Sequence, residues 1–147
     1  MSEEICLTPA ELNSVLSLAC NIINAKLAAA KKLDLSLHEY MALLQLIKKE
    51  KLPVKELKTA LDLPGGSATH ILDSLEKREL VVRVRNARDR RQWFMELTAD
   101  GKELCGKMLG IENAFSAEIL ASLGEQERIA FLKACDQLSS QRQQREF

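Results

Sequence analysis

The stretch from Ser67 to Leu97 constrains the fold most strongly, because a helical pattern passes directly into a strand pattern. Four apolar side chains fall within an arc of about 100° on a helical projection. They are Ala68, Ile71, Leu72 and Leu75. The opposite side is mostly small and polar, with Ser67, Thr69, His70, Asp73, Ser74 and Lys77. Short polar groups allow a helix to approach a surface closely and still form hydrogen bonds, as a major-groove helix must. Taken alone, the same pattern also fits an ordinary amphipathic helix.

Residues 81–97 predict a β-hairpin with a basic tip. Val81 to Arg85 alternates apolar and basic residues with the period of a strand. Residues 86–91 form a polar turn, and residues 92–97 return as a second strand that carries Trp93 and Met95. Five arginines and one aspartate between Val81 and Met95 give this segment a charge of +4. They are Arg83, Arg85, Arg88, Arg90, Arg91 and Asp89.

A polar-faced helix followed at once by an arginine-tipped hairpin is typical of a winged helix-turn-helix. In that arrangement the helix enters the major groove and the hairpin contacts the DNA backbone and the minor groove. Two shorter helices are predicted before it, at residues 36–49 and 54–61, and residues 63–66 form a turn with two glycines. The predicted fold class is therefore mainly α with a small β-hairpin wing.

The same region resembles the signature of the MarR (multiple antibiotic resistance regulator) family. The matching pieces are Leu75-Glu76, Leu80-Val81, Arg83, Asp89-Arg90-Arg91 and Leu97-Thr98-Ala99-Asp100-Gly101. Glu79 departs from the pattern, because the family usually has a glycine there that allows a positive φ. The resemblance implies a homodimeric transcriptional regulator, most often a repressor, that binds a pseudo-palindromic operator in double-stranded DNA. It also implies a small phenolic or lipophilic effector, bound where the dimerisation helices meet the winged unit.

The expected DNA contacts follow from the helix face and the wing. We expect base contacts from the recognition helix, through Ser67, Thr69, His70 and Ser74. The wing is expected to contact the DNA backbone through Arg83, Arg85 and Arg88, and Arg90 is also assigned to its DNA-binding set. Arg91 is expected in the minor groove, with Asp89 close enough in sequence to orient its guanidinium, as the resemblance implies.

The first helix predicts a partner. Thr8 to Glu11 is a capping box, and the apolar positions from Leu12 to Leu27 spread over roughly 200° of the helix. A helix that contacts one core needs about half that arc, so a second copy of the chain is expected on the excess surface. A helix wrapped by its own domain is the alternative.

Two more helices are predicted after the wing, one capped by Thr98 and running to about Ala121, the next capped by residues 122–125. The expected domains are an N-terminal dimerisation helix (1–32), a winged helix-turn-helix DNA-binding domain (33–100) and C-terminal dimerisation helices (101–147).

Composition argues against other classes of protein. With 21 basic and 21 acidic residues, the neutral chain is not expected to coat nucleic acid without preference. No signal peptide or transmembrane span is predicted, so a cytoplasmic protein is expected. The four cysteines are widely spaced and only two histidines occur, so neither a zinc site nor a cofactor is expected. No catalytic set is recognisable, and we expect no enzyme.

Two alternatives remain open. One is a thiol-based redox-sensing regulator of the same fold that uses Cys6 or Cys20. The acidic neighbours of Cys6 disfavour its thiolate, and the apolar neighbours of Cys20 predict an inert core thiol. The other is a winged-helix unit that binds only proteins, a role for which five arginines in the wing are unnecessary.

Overall fold

The computed structural model describes residues 7–142, which are mostly helical with one small antiparallel sheet. The elements are α1 (Pro9–Lys32), α2 (Leu37–Lys48), β1 (Lys51–Pro53), α3 (Val54–Leu61), α4 (Gly65–Lys77), β2 (Val81–Arg85), β3 (Trp93–Leu97), α5 (Ala99–Ala121) and α6 (Glu125–Arg142). The predicted fold class is confirmed. Between Met108 and Leu109 the chain divides into two compact units, so that α5 contributes to both.

The helix starts follow from capping side chains. In the α1 box, the Glu11 carboxylate accepts the Thr8 amide at 2.8 Å and the Thr8 hydroxyl accepts the Glu11 amide at 3.3 Å. Ser36 and Glu39 repeat this reciprocal pair at the start of α2. The hydroxyl of Thr98 accepts the Gly101 amide at 3.0 Å. The sequence predictions for these three starts are confirmed, because each cap satisfies amides that a helix leaves unpaired.

The core of the first unit is aliphatic. Its largest fully buried side chains come from α2, α3, α4, β2, β3 and the first part of α5. They are Tyr40, Leu43, Leu46, Leu57, Leu72, Leu75, Val81, Met95 and Met108. Ala68 is also buried, whereas Ile71 is only half-buried. The apolar face predicted for the recognition helix is therefore the face that α4 packs inward.

The wing contains one strand more than the predicted hairpin. β1 pairs antiparallel with β3 and places Leu52 opposite Met95, so the sheet order is β1-β3-β2. Leu52 is buried, and Pro53 ends the strand on the edge of the sheet. Three residues are too few for a period-2 pattern to emerge from the sequence, so only the pairing with β3 reveals this strand.

The alternation in β2 is correct, but Val82 and Val84 lie on the outward side of the strand. Val81 is buried, and the period of two therefore turns Arg83 to the same side and Val82 to the opposite, exposed side. Arg83 lies opposite the buried Met95 in the ladder. Val81, the first residue of β2, thus determines which side of the strand faces the core. Arg83 lies on that same side and is directed toward the helices.

Glu79 occupies a left-handed position, with φ 57°. The α4 end is a Schellman motif, in which the Leu80 amide bonds the Leu75 carbonyl at 3.1 Å and the Glu79 amide bonds the Glu76 carbonyl at 2.9 Å. The departure from the family's glycine put this cap in doubt, but Glu79 adopts the positive φ that such a glycine allows. A residue with a Cβ loses about 1–2 kcal/mol in this conformation relative to glycine.

Replacing Glu79 with glycine should therefore stabilise the protein. Part of the relieved strain is offset by the greater freedom of glycine in the unfolded chain, which leaves a net gain of about 0.5–1 kcal/mol. Chemical denaturation measures the difference. Lys77→Gly, in the last turn of the same helix, is the matched control and should destabilise by about 1 kcal/mol. A loss of stability in both variants would contradict the assigned backbone strain.

Helix α1 is mostly uncovered in the single chain. Only Ala29 and Ala30 are buried, while five large apolar side chains are 44–58% exposed. They are Leu12, Val15, Leu16, Ile23 and Leu27. By length and hydropathy alone α1 could also cross a membrane, in contrast to the sequence expectation of no such span. Its helix nevertheless carries three asparagines, two serines, Glu11 and Lys26, which are unfavourable in hydrocarbon and compatible with a protein partner.

The second unit consists of the end of α5 and helix α6. The predicted cap at residues 122–125 is only partly right, because the Ser122 hydroxyl donates back to the Ile119 carbonyl at 3.1 Å. The Glu127 carboxylate instead accepts the Gly124 amide at 2.8 Å. Three large apolar side chains of α6 are 47–67% exposed: Ile129, Leu132 and Leu138. Like α1, α6 presents more apolar surface than a helix facing water needs.

Candidate nucleic-acid interface

Helices α3 and α4 form the helix-turn-helix. The turn reverses at Asp62, which has φ 48°, and the Pro64 carbonyl accepts the Ser67 amide at 2.8 Å. The glycines were expected to make the turn, but Gly65 and Gly66 lie inside the first turn of α4, and no described glycine has a positive φ. Their effect is to leave the N-terminal end of α4 bare of side chains.

The outer face of α4 carries the short polar groups expected of a reading helix. Ser67, His70 and Asp73 are exposed, as is Lys77 in the last turn. Ser67 and His70 stand one turn apart near the N-terminal end, where a recognition helix usually contacts base edges. A hydroxyl and an imidazole there can both donate and accept hydrogen bonds.

Thr69 lies to the side of this face. Its hydroxyl accepts a hydrogen bond from the Lys58 ammonium at 2.7 Å, and the residue is half-buried. The bond joins α3 to α4 and brings a positive charge beside the recognition helix. Lys58 was missed from the sequence, since a single lysine on a short helix gives no signal until the helix–helix geometry places it next to Thr69.

Ser74 does not join the reading face. Its hydroxyl donates to the Glu39 carboxylate at 2.7 Å, which ties the second half of α4 to the start of α2. Ser74 was expected to contact bases because it shares an azimuth with Ser67. Two turns along the helix, however, that azimuth meets α2, where the Ser74 hydroxyl is engaged within the protein.

Glu39 and Arg78 form a polar cluster around this junction. Glu39 is only 7% exposed, and its burial acts to raise the pKa of its carboxyl. The amide and hydroxyl of Ser36, the hydroxyl of Ser74 and the Arg78 guanidinium outweigh burial, so the pKa is lower than that of an ordinary glutamate. Arg78 also donates to the Asp34 carbonyl at 2.7 Å. The cluster therefore joins the end of α4 to the α1–α2 turn.

An open groove of about 810 Å³ lies over this cluster. One side is apolar and comes from the end of α1, with Leu27, Ala28 and Ala30. The other side is polar and includes Ser36, Glu39, Ser74 and Arg78. The groove thus lies where the first helix meets the winged unit.

The root of the wing is tied to the recognition helix. The Arg83 guanidinium bonds the Asp73 carboxylate through Nη2, and its Nη1 lies 3.0 Å from the Glu76 carboxylate. Asp73 and Glu76 belong to α4, so one arginine of β2 bridges to two positions of the helix. Arg83 was expected to contact the DNA backbone, but its side chain is held by these two carboxylates instead.

The wing tip is shaped by two short polar side chains. The Asn86 side chain accepts the Arg88 amide at 2.9 Å, and the Asp89 carboxylate accepts the Arg91 amide at 3.0 Å. Asp89 was expected to orient the Arg91 guanidinium. Its carboxylate accepts the main-chain amide of Arg91 instead, because an Asx turn brings the amide two residues further on within hydrogen-bonding distance.

Four arginines project from this tip. All four are exposed, and they are Arg85, Arg88, Arg90 and Arg91. The guanidinium of Arg85 stacks over the Trp93 ring at 4.8 Å from its centre. Within residues 7–142, the guanidinium groups of Arg88, Arg90 and Arg91 bond to no protein group. The tip therefore presents a net positive surface, because its exposed arginines outnumber its one carboxylate, Asp89.

The cysteines that the structure describes differ in exposure. Cys6 lies outside the described residues. Cys20 was expected in the core, but it is exposed on α1 in the single chain. Cys105 is buried, and that burial raises the pKa of its thiol to about 11. Among the described residues no group of three or more His, Cys, Asp or Glu side chains could hold a metal ion.

The tri-helical unit α2–α4, the β1-β3-β2 sheet and the arginine-tipped hairpin define a winged helix-turn-helix. Residues 33–92 match the sequence profile of the MarR family. The HTH-type transcriptional regulator SarZ of Staphylococcus aureus is 36% identical over 74 residues, which are 50% of this chain and 50% of that protein. Over these residues the chain is similar to the MarR family, and the chain spans about half the length of the curated relatives it matches.

Solved structures resemble the chain over nearly its whole length. A MarR transcriptional regulator from Methanosarcina mazei Go1 aligns with a TM-score of 0.77 and 16% identity, covering 97% of this chain and 96% of that one. NadR in complex with 4-hydroxyphenylacetate aligns with a TM-score of 0.72 and 20% identity, covering 94% and 96%. At these identities the likeness establishes the fold.

Proposed function

We propose that the protein is a homodimeric, sequence-specific DNA-binding transcriptional regulator of the cytoplasm, and that it represses until a small effector releases it. The observation that carries the proposal is that the exposed outer face of α4 and the arginine-tipped wing belong to one unit, in which Arg83 ties the root of the wing to α4. One part offers Ser67 and His70 for base edges, and the other offers unpaired arginines for phosphates and the minor groove. A wing used only for protein contacts has no need of this charge.

His70 tests the reading face. His70→Ala should weaken binding to the operator by about 1–3 kcal/mol and leave binding to random DNA nearly unchanged, because a base contact contributes only where the matching base is present. Fluorescence anisotropy with the two DNAs measures both affinities. Lys133→Ala, an exposed position on α6, is the control. Equal losses on operator and random DNA would show that another face of the protein enters the groove.

The dimer is supported by the uncovered apolar surfaces of α1 and of α6. Interfaces that remove such surfaces from water usually bury more than about 2,000 Å² and persist at low concentration. Sedimentation at micromolar concentration should therefore show one species near twice the 16.5 kDa chain mass. A well-folded monomer under these conditions would contradict the proposal. The dimer would also cover the exposed Cys20, which counts against the redox-sensing alternative.

The effector site that we propose is the groove between α1 and the Glu39–Arg78 cluster. Its apolar wall suits a ring, and its polar wall offers the Ser36 hydroxyl and the Arg78 guanidinium to an acid or a phenol. NadR, one of the similar structures, was solved in complex with 4-hydroxyphenylacetate, which carries both a phenol and a carboxylate. A panel of phenolic acids should raise the melting temperature and release DNA, and Leu27→Trp should abolish both effects by filling the groove. Unchanged responses in that variant would place the effector elsewhere.

A further inference from the structure

The helix–wing ion pair, defined as Arg83 with Asp73 and Glu76, is not used by the DNA contacts proposed above. We propose that Arg83 is a positioning residue, which neutralises Asp73 on the reading face of α4 and holds the wing against that helix. The inference rests on the proposed function, because it explains how the helix and the wing meet DNA together. Contact with DNA is left to the four arginines of the wing tip.

Charge on the reading face requires such a partner. Asp73 lies one turn after His70, and its side chain is 51% exposed. A carboxylate on that face repels phosphates and acceptor groups of bases within about 10 Å at physiological salt. Because the Arg83 guanidinium is bonded directly to Asp73 and is shared with Glu76, the charge of Asp73 is partly compensated before DNA arrives.

Arg83 is held more firmly than the arginines of the tip. Its main chain lies in the ladder opposite the fully buried Met95, and its side chain is 29% exposed. Both terminal nitrogens are committed, one to Asp73 and one to Glu76. A phosphate would have to displace one of these carboxylates. The planar guanidinium can bridge two carboxylates at once, whereas a lysine ammonium acts as a single point charge.

A double-mutant cycle separates positioning from contact. Arg83→Gln should weaken operator binding about tenfold, since Asp73 is then uncompensated, and Asp73→Asn alone should change affinity less than about twofold. The double variant should return to within about threefold of the wild type. The salt dependence of Arg83→Gln should equal that of the wild type, because no phosphate contact is lost.

Arg85→Gln is the matched control on the same strand. Arg85 stacks on Trp93 and contacts neither carboxylate of α4, so Asp73→Asn should not restore its affinity. Far-UV circular dichroism and thermal melting check the fold of each variant. Where Arg83→Gln fails to fold, Arg83→Lys replaces it in the same cycle, with a loss of about threefold that Asp73→Asn again removes.

The inference would be overturned if Asp73→Asn changed operator affinity by the same factor in the wild type and in Arg83→Gln. It would also be overturned if the salt slope of Arg83→Gln were reduced by one phosphate contact per subunit. If either result is found while the wild type binds its operator, only this inference fails and the proposed function stands. If the wild type binds no DNA, the proposed function and this inference fall together.

Discussion

Gly101→Ala should destabilise the protein by about 3 kcal/mol or more and lower its melting temperature by about 10 °C. A Cβ at this position would lie 2.0 Å from the main-chain oxygen of Leu80, and 3.3 Å from a methyl of Leu97. Leu80 cannot move away, because its carbonyl accepts the Thr98 amide at 3.1 Å. The preceding residue, Glu79, is already in the left-handed region and accepts the Thr98 hydroxyl.

Gly106→Ala on the same helix is the control. The Cβ added there meets no atom within 4 Å, so the variant should gain about 1 kcal/mol of helix propensity. Thermal and chemical denaturation of both variants give the comparison. A loss of stability in Gly101→Ala together with a gain in Gly106→Ala would identify the close approach of Gly101 to Leu80 as the cause of the loss. Similar stabilities for the two variants would show that this contact does not hold the start of α5.

Arg91→Ala should reduce DNA affinity at least tenfold and leave the fold intact. Its side chain lies exposed at the wing tip, contributes nothing to the core and has no protein partner among residues 7–142. A narrow minor groove concentrates negative potential, so a lost arginine there removes both attraction and counterion release. The slope of log affinity against log salt should become shallower by about 0.9 per subunit.

Asp89→Ala separates the charge of the wing from its shape. Asp89 holds the main chain of Arg91 and not its guanidinium, so its loss loosens the loop and also removes a negative charge. We expect a smaller loss of affinity than for Arg91→Ala and an unchanged salt slope. Should Arg91→Ala bind the operator like the wild type, the wing has no DNA contact at this position, and a protein-binding role becomes the better interpretation.

The elements of this fold could be predicted because short-range rules determine them. The Thr8 and Ser36 caps, the apolar face of α4 and the bounds of β2 depend on neighbours within a few residues. The positive φ of Glu79 falls at the position where the family pattern has a glycine. Such features depend on residues close together in the sequence, so long-range packing changes them little.

The sequence did not predict the contacts of Ser74 and Arg83 or the strand β1, because these depend on long-range packing. Ser74 shares an azimuth with Ser67, but α2 covers the second half of α4 and engages it. Arg83 belongs to the basic wing by sequence, yet two carboxylates of α4 hold it. β1 exists only through its pairing with β3. In each case the partner lies seven or more residues away, beyond the reach of a periodicity argument.

The most direct test of the account is the selection of DNA fragments from the host's own genome by the purified protein. We expect a selected fragment with an inverted repeat whose half-sites lie about 10 bp apart, one turn of DNA. At about 150 mM salt, its affinity should exceed that of a shuffled fragment of the same composition by about 10³-fold or more. Equal affinity for the selected and shuffled fragments would contradict sequence-specific binding by α4 and the wing.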